Sequence, residues 1–338
     1  MLQKLLRRTL IHYLAHLVIF GILFALTVWH PYYIRFLRTE THELLKILFV
    51  SYAVLGLPYY FLRFKYFIAK DSDYENDKLC ILGRYCQSFL ARKKKTIPKS
   101  LKSSAKTAAL SYIVKFFFMP IMVNFFFDHW QHFLTAWRNS GSGQPFWQFF
   151  WDSGYYLVFN LIFIIDTLIF AFAYTFEFRL LKNKIKSVDP FLSGWVIALI
   201  CYPPFNGTTD HFIPLVRDNA WLTEGLLLDV SKILILVFFA IYLWATIALG
   251  FKASNLTNRG IVSTGPYRFV RHPAYAAKNL AWWFELLPFL TAGTALALII
   301  WNLIYILRAI TEERHLSQDT DYLKYKKKVK WRLIPGLF

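Results

Sequence analysis

Cysteine is nearly missing from this sequence: Cys80, Cys86 and Cys201 are the three in 338 residues. They make no CxxC pair and no zinc spacing, so neither a thiol redox motif nor a metal site is expected. Acidic residues are scarce as well, 20 against 39 Lys and Arg, which leaves a formal charge of +19. That excess raises the question of nucleic acid. No recognised nucleic-acid module is present, however, and the aromatic residues fall within apolar runs, so no nucleic-acid partner is expected. No glycine-rich loop follows a strand-like segment, which excludes a soluble Rossmann-type nucleotide site. Nor is a cleavable leader expected, because the apolar run behind the basic opening MLQKLLRRTL continues past Ala25 without a small-residue cleavage site.

What the chain has in abundance is apolar surface: 57% hydrophobic residues, 34 Phe and 12 Trp, and a mean hydropathy of +0.38. Soluble domains hold roughly 45 to 50% apolar residues, so the surplus must face lipid. Runs near the ~20 residues that cross a bilayer lie at 10–33, 44–62, 107–127, 154–178, 191–204, 226–250, 274–290 and 291–310. The expected fold is all-α, a polytopic transmembrane bundle of about eight helices whose last two form a C-terminal hairpin around Pro288 to Thr291. With the N-terminus placed in the cytoplasm, alternate loops put 32 of the 39 basic residues on the inner side. Only Arg35, Arg38, Arg138 and Arg217 fall outside, while Lys46, Lys115 and Lys232 lie within spans. By the positive-inside rule this asymmetry predicts both termini in the cytoplasm. The basic loops, among them Ala91 to Lys106, then rest against anionic lipid at about 1 kcal/mol per side chain.

One stretch concentrates polar chemistry at the edge of an apolar run: GPYRFVRHPAYAAKNLAWW, Gly265 to Trp283. Gly265-Pro266 marks a turn, and Pro273 suits the first position of a helix, which is therefore predicted to begin near His272. The N-terminus of that helix, with Arg271, makes an anion site. Tyr275, Asn279 and Trp282 recur at helical spacing beyond it. Further on, ILRAITEERHL places Tyr305, Arg308 and Glu312 along one helix face with Glu313 beside them. A carboxylate pair at the end of a helix is disfavoured by the helix dipole and by anionic headgroups. A cationic or hydroxyl-rich ligand accounts for it. The plainer alternatives are a juxtamembrane turn with interfacial aromatics for the first stretch, and an exposed pair matched by Arg308 and Arg314 for the second.

These two stretches carry a resemblance. Gly265-Pro266-Tyr267-Arg268, Arg271-His272-Pro273-Ala274-Tyr275 and then Glu312-Glu313-Arg314-His315-Leu316, with Tyr322, Tyr325 and Pro335, resemble the isoprenylcysteine carboxyl methyltransferase and phospholipid methyltransferase family of integral membrane enzymes. The resemblance covers the C-terminal part, 241–338, and leaves 1–240 as a transmembrane region of no recognised family. It implies an S-adenosylmethionine site at Tyr267, Arg271, His272, Pro273, Tyr275, Glu312, Glu313, Leu316 and Tyr322. Arg271, Arg308 and Asn279 are the candidates for handling the methyl acceptor. One departure is visible: Ala277 stands where many members have Gly.

Within this picture Arg271, His272 and the helix N-terminus would take the cofactor carboxylate. Glu312 or Glu313 would take its hydroxyl and amino groups, and the aromatic residues would wall the adenine. The acceptor is expected to be a lipidic or amphipathic small molecule reached from the bilayer. A carboxylate acceptor would need a positive anchor such as Arg308 or Arg271, and an amine would need a base; the sequence leaves both open, as it leaves the oligomeric state. Two other classes compete, a nicotinamide-dependent membrane reductase resembling the sterol reductases, and a transporter. The transporter reading draws on Asp166, a carboxylate in mid-span that must face a partner, and on CYPPFNGTTDHF, whose prolines break a helix and which carries the sequon Asn206-Gly207-Thr208.

Overall fold

The computed structural model describes residues 2–67, 77–91, 97–140, 143, 145–178, 180–207 and 225–337. Arg217, Thr208 of the sequon and Arg92 to Thr96 of the basic loop lie outside the described residues. The described residues are mostly helical, and the chain divides into two compact units, 1–120 and 121–338.

The first unit holds α1 (Leu2–Trp29), α2 (Pro31–Phe36), α3 (Thr39–Leu62), α4 (Lys78–Leu90) and the first half of α5 (Lys99–Asn139). In α1 the usual amphipathic pattern is inverted. Leu6, Leu10, Leu14, Val18, Ile22 and Leu26 recur every four residues and are exposed, whereas Thr9, His12 and His16 are buried. A stripe of that kind faces hydrocarbon, and the polar groups turn inward to find partners. His16 Nε2 meets the Tyr112 hydroxyl at 2.8 Å and its Nδ1 meets the Tyr60 hydroxyl at 3.1 Å. His12 Nε2 lies 3.3 Å from Asp77, which also accepts from Arg63 at 2.9 Å. Asp77 caps α4 by accepting from the Leu79 N–H. Burial works against ionisation of Asp77. The His12 hydrogen bond and the Arg63 charge outweigh it and hold the carboxyl well below the usual carboxylate range.

The second unit continues α5 and adds α6 (Phe146–Phe149), α7 (Tyr155–Thr175), α8 (Leu192–Leu199), α9 (Leu226–Leu249), α10 (Pro273–Leu286), α11 (Ala292–Leu316) and α12 (Thr320–Lys328). Its core is the packing of α9 against α7 and α10, through Tyr155 and Ile162, Ile235 and Phe239, and Ala281. Two short strands, β1 (Ser187–Val188) and β2 (Thr257–Asn258), pair antiparallel with Ser187 opposite Asn258. They tie the loop after α7 to the loop after α9.

Among the described residues, six helical segments are long and apolar enough to cross a membrane: Leu2–Trp29, Thr39–Tyr66, Lys99–Asn139, Phe146–Thr175, Leu226–Lys252 and Ala292–Leu316. The protein is an integral membrane protein. The apolar runs at 191–204 and 274–290 become helices of 8 and 14 residues. At 1.5 Å per residue these helices by themselves are shorter than the ~30 Å hydrocarbon core. The hairpin between α10 and α11 is present. Thr291 closes it with a reciprocal capping box to Thr294.

Candidate active site

Three segments build the site: the loop after α9, the turn that opens α10, and the end of α11 with the tail behind it. Gly265 shapes the turn. Its φ is +61°, and a Cβ there would stand 3.1 Å from Ala248 Cβ and 3.4 Å from Trp244 Nε1, so both backbone and space call for glycine. The short helix Gly265–Arg268 leads into His272, which is the N-cap of α10, with Pro273 at its first position as the sequence predicts.

The tail is stitched to this turn. The N–H groups of Arg271 and His272 donate to the Trp331 and Arg332 carbonyls at 3.0 and 2.9 Å. Tyr325 donates to the Tyr267 carbonyl at 2.7 Å. The Arg271 guanidinium gives one nitrogen to the carbonyls of Val329 and Lys330, at 2.9 and 2.6 Å, and its other two to Glu313, at 2.8 and 3.4 Å. Glu313 also accepts from His272 Nε2 at 3.2 Å and from Arg332 at 3.0 and 3.3 Å, with Lys326 Nζ 3.6 Å away. Arg271 is therefore not the free cation that the sequence suggests. Its donors are consumed in closing the tail, because bidentate pairing with a buried carboxylate satisfies the guanidinium better than waiting for a ligand.

The two neighbouring carboxylates are sharply distinguished. The Glu313 side chain is 3% exposed, whereas that of Glu312 is 39% exposed, accepts one bond from the Tyr275 hydroxyl at 2.7 Å and faces a cavity. His272 stands between them, its Nδ1 4.0 Å from Glu312, and its ring stacks on Tyr275. The cavity encloses about 1050 Å³ including its open mouth. Of the residues singled out from sequence, Tyr267, Arg271, His272, Tyr275, Arg308, Glu312, Leu316 and Tyr322 line it. Pro273, Asn279 and Glu313 do not. Asn279 instead donates to the Tyr275 carbonyl at 2.7 Å within its own helix.

Residues that sequence reasoning passed over also line the cavity. Arg259 is buried, donating to the carbonyls of Ala173 and Asn183 at 2.8 and 3.1 Å and to Ser254 at 3.1 Å, while its Nη2 has no partner among the described residues. Burial lowers its affinity for a proton. Lys252 and Asn255 accompany it. Asn255 accepts from the Arg308 guanidinium and takes the Tyr174 hydroxyl as acceptor for its own N–H at 2.7 Å. Lys278 lies between Tyr275 and Trp282 on the face of α10 that the sequence reading assigned to Asn279, and spacing of i+3 and i+4 was the signal for it. Tyr322 also keeps an unpartnered hydroxyl, and burial pushes its phenol, like those of Tyr267 and Tyr325, above the ordinary range.

Asp319 holds the lining residue Asn258 from behind. It accepts from Asn258 at 2.8 Å and from Lys186 at 3.3 Å. Burial opposes its ionisation, but these donors and the Asp321 N–H prevail and hold it below the usual range. Deeper in the bundle Asp166 accepts from Thr246 at 2.6 Å and Tyr242 at 3.0 Å, an interhelical hydrogen-bond pair. Asn160 pairs with His129 at 2.9 Å instead.

No curated protein matches the chain. Residues 228–319, from the start of α9 to the turn before α12, match the family model described as phospholipid methyltransferase, so this C-terminal part of the chain is similar to that family.

Proposed function

We propose that this protein is an S-adenosylmethionine-dependent methyltransferase that acts on a lipidic or amphipathic substrate at the cytoplasmic face of the membrane. The observation that carries the proposal is the single cavity that joins the Arg-His-Pro turn to an exposed Glu312. The cofactor combines a carboxylate, ribose hydroxyls, an amino group and an adenine, and the cavity offers a partner for each. Glu312 accepts from hydroxyl or amino donors. Tyr267, Tyr322 and Leu316 wall an aromatic ring system, with the Tyr322 hydroxyl unspent. The carboxylate role passes from Arg271, whose donors are used, to Lys252 and the free nitrogen of Arg259.

When bound, the cofactor supplies a methyl group already activated on a sulfonium centre. What the chain contributes is position and dryness. The tail, held by Glu313 and Tyr325, closes one side of the cavity, and the aromatic side chains of α10 and α11 exclude water from the other. The concentration of basic residues on one set of loops supports a cytoplasmic mouth.

Calorimetry on the detergent-purified protein tests the reading. S-Adenosylhomocysteine should bind and NADPH should not. Binding of NADPH without S-adenosylhomocysteine would transfer the chain to the reductase class, and binding of neither would remove both.

A further inference from the structure

The first unit holds a group of side chains that the methyltransferase reading leaves unused. Cys80 lies in the first turn of α4, which Asp77 caps, and its Sγ is 3.7 Å from His12 Nε2. The same nitrogen faces Asp77 at 3.3 Å, and His12 Nδ1 faces the Arg8 carbonyl at 3.2 Å. A ring with an oxygen acceptor at each nitrogen carries both protons, so the sulfur stands beside an imidazolium N–H. Asp77 in turn accepts from Arg63 at 2.9 Å and from the Leu79 N–H at 3.0 Å. One turn before His12 on the same face of α1, Thr9 is 2% exposed, and its hydroxyl has no partner among the described residues. Cys86, six residues further along α4, is exposed, whereas Cys80 is half-buried.

A thiol reacts through its anion, and reactive cysteines are marked by a partly exposed, electropositive setting. Cys80 takes that setting from the imidazolium and from the positive end of a 13-residue helix. Cys86 has the exposure without the setting. The half-buried position of Cys80 admits a small electrophile more readily than a long acyl chain. A buried hydroxyl without a hydrogen bond costs free energy, and Thr9 would recover it by meeting one oxygen added to the sulfur.

We propose that Cys80 is a site of reversible oxidation, which takes one oxygen from an organic hydroperoxide and becomes a sulfenic acid. The sulfur attacks the terminal peroxide oxygen: the S–O bond forms, the O–O bond breaks, and sulfur loses the two electrons that the peroxide gains. The departing alkoxide leaves as the alcohol with the proton of the thiol, passed through His12 Nε2. A thiol reductant returns the sulfenic acid to the thiol. This inference does not depend on the methyltransferase reading.

The full chain in maltoside micelles, reduced and then freed of reductant, is exposed to tert-butyl hydroperoxide; sulfenic acid is trapped with dimedone and located by mass spectrometry. The Cys80 adduct should form at least tenfold faster than the Cys86 adduct, although Cys86 is the more exposed thiol. In denaturant the two rates should come within twofold of each other. Dithiothreitol added before the dimedone should abolish the Cys80 adduct. His12→Gln should slow oxidation of Cys80 at least tenfold, and the comparison of native with denatured chain decides the matter even where that variant fails to fold. Equal rates in the native chain, or faster oxidation of Cys86, overturn the inference. So does a preference for Cys80 that survives in denaturant, which would assign it to local sequence, and so does a native Cys80 rate in folded His12→Gln. A Cys80 adduct that persists after dithiothreitol overturns its reversibility.

Discussion

Glu312 and Glu313 are adjacent in sequence yet should give opposite phenotypes when each is replaced by glutamine. In Glu313→Gln the charge that pairs with Arg271 is lost while that guanidinium remains, with a side chain only 6% exposed. Removing one member of a buried ion pair costs about 3–5 kcal/mol, because the other is left without compensation. Glutamine keeps one oxygen to accept a bond, and Arg332 is partly in solvent, so the lower end, about 3 kcal/mol, is expected. In Glu312→Gln the side chain is partly exposed, and the new amide oxygen still accepts from Tyr275, so stability should change by less than about 1 kcal/mol. Its effect should fall on the ligand instead. A charge-assisted bond from a cofactor hydroxyl is worth about 1.5–3 kcal/mol, which corresponds to roughly a ten- to hundredfold loss of S-adenosylhomocysteine affinity. Denaturant unfolding followed by tryptophan fluorescence measures the first quantity, and calorimetry the second. An unfolding midpoint for Glu313→Gln equal to that of the native protein would refute the tail-latch argument. Native affinity in Glu312→Gln would remove Glu312 from the ligand site.

Gly265→Ala should destabilise the protein by about 1–3 kcal/mol, since the new Cβ meets Ala248 and the backbone is held at positive φ; an unfolding midpoint equal to the native one would show that the turn relaxes freely. Tyr325→Phe leaves the Tyr267 carbonyl without its donor, and a loss of about 1–3 kcal/mol should appear in the same assay, with none expected if water replaces the hydroxyl. The carboxyl of Asp77 has a folded-state pKa below its unfolded value, so its contribution is fully present above about pH 4 and is lost as the pH falls toward the folded-state value. Asp77→Asn should therefore flatten the acid limb of a stability–pH curve, and a native-shaped limb in that variant would place the titrating group elsewhere.

The membrane-spanning helices were legible because length and apolar content alone decide them. The helix start at Pro273 and the hairpin at Thr291 were legible because local chemistry fixes both. The lengths of α8 and α10 were less legible, since an apolar run does not reveal where within it a helix begins and ends. At the site, the sequence named lining residues from the turn before α10, from α10 itself and from the end of α11 with its tail, but not those of the loop after α9. Their roles were harder to assign. Whether Arg271 is free depends on Glu313 and on carbonyls 58 and 59 positions away, and backbone acceptors leave no trace in side-chain identity. Lys278 went unnamed, and the three rings around it show that it points inward.

The carbonyls of residues 329 to 332 complete the latch on Arg271 and His272, which gives the order of synthesis a physical meaning. Every hydrophobic helix can enter the bilayer while the nascent chain still lacks that strap, so insertion and ligand capture are separate events. A ribosome that stops anywhere between Leu316 and Val329 would leave a fully embedded protein with an open, unclasped pocket.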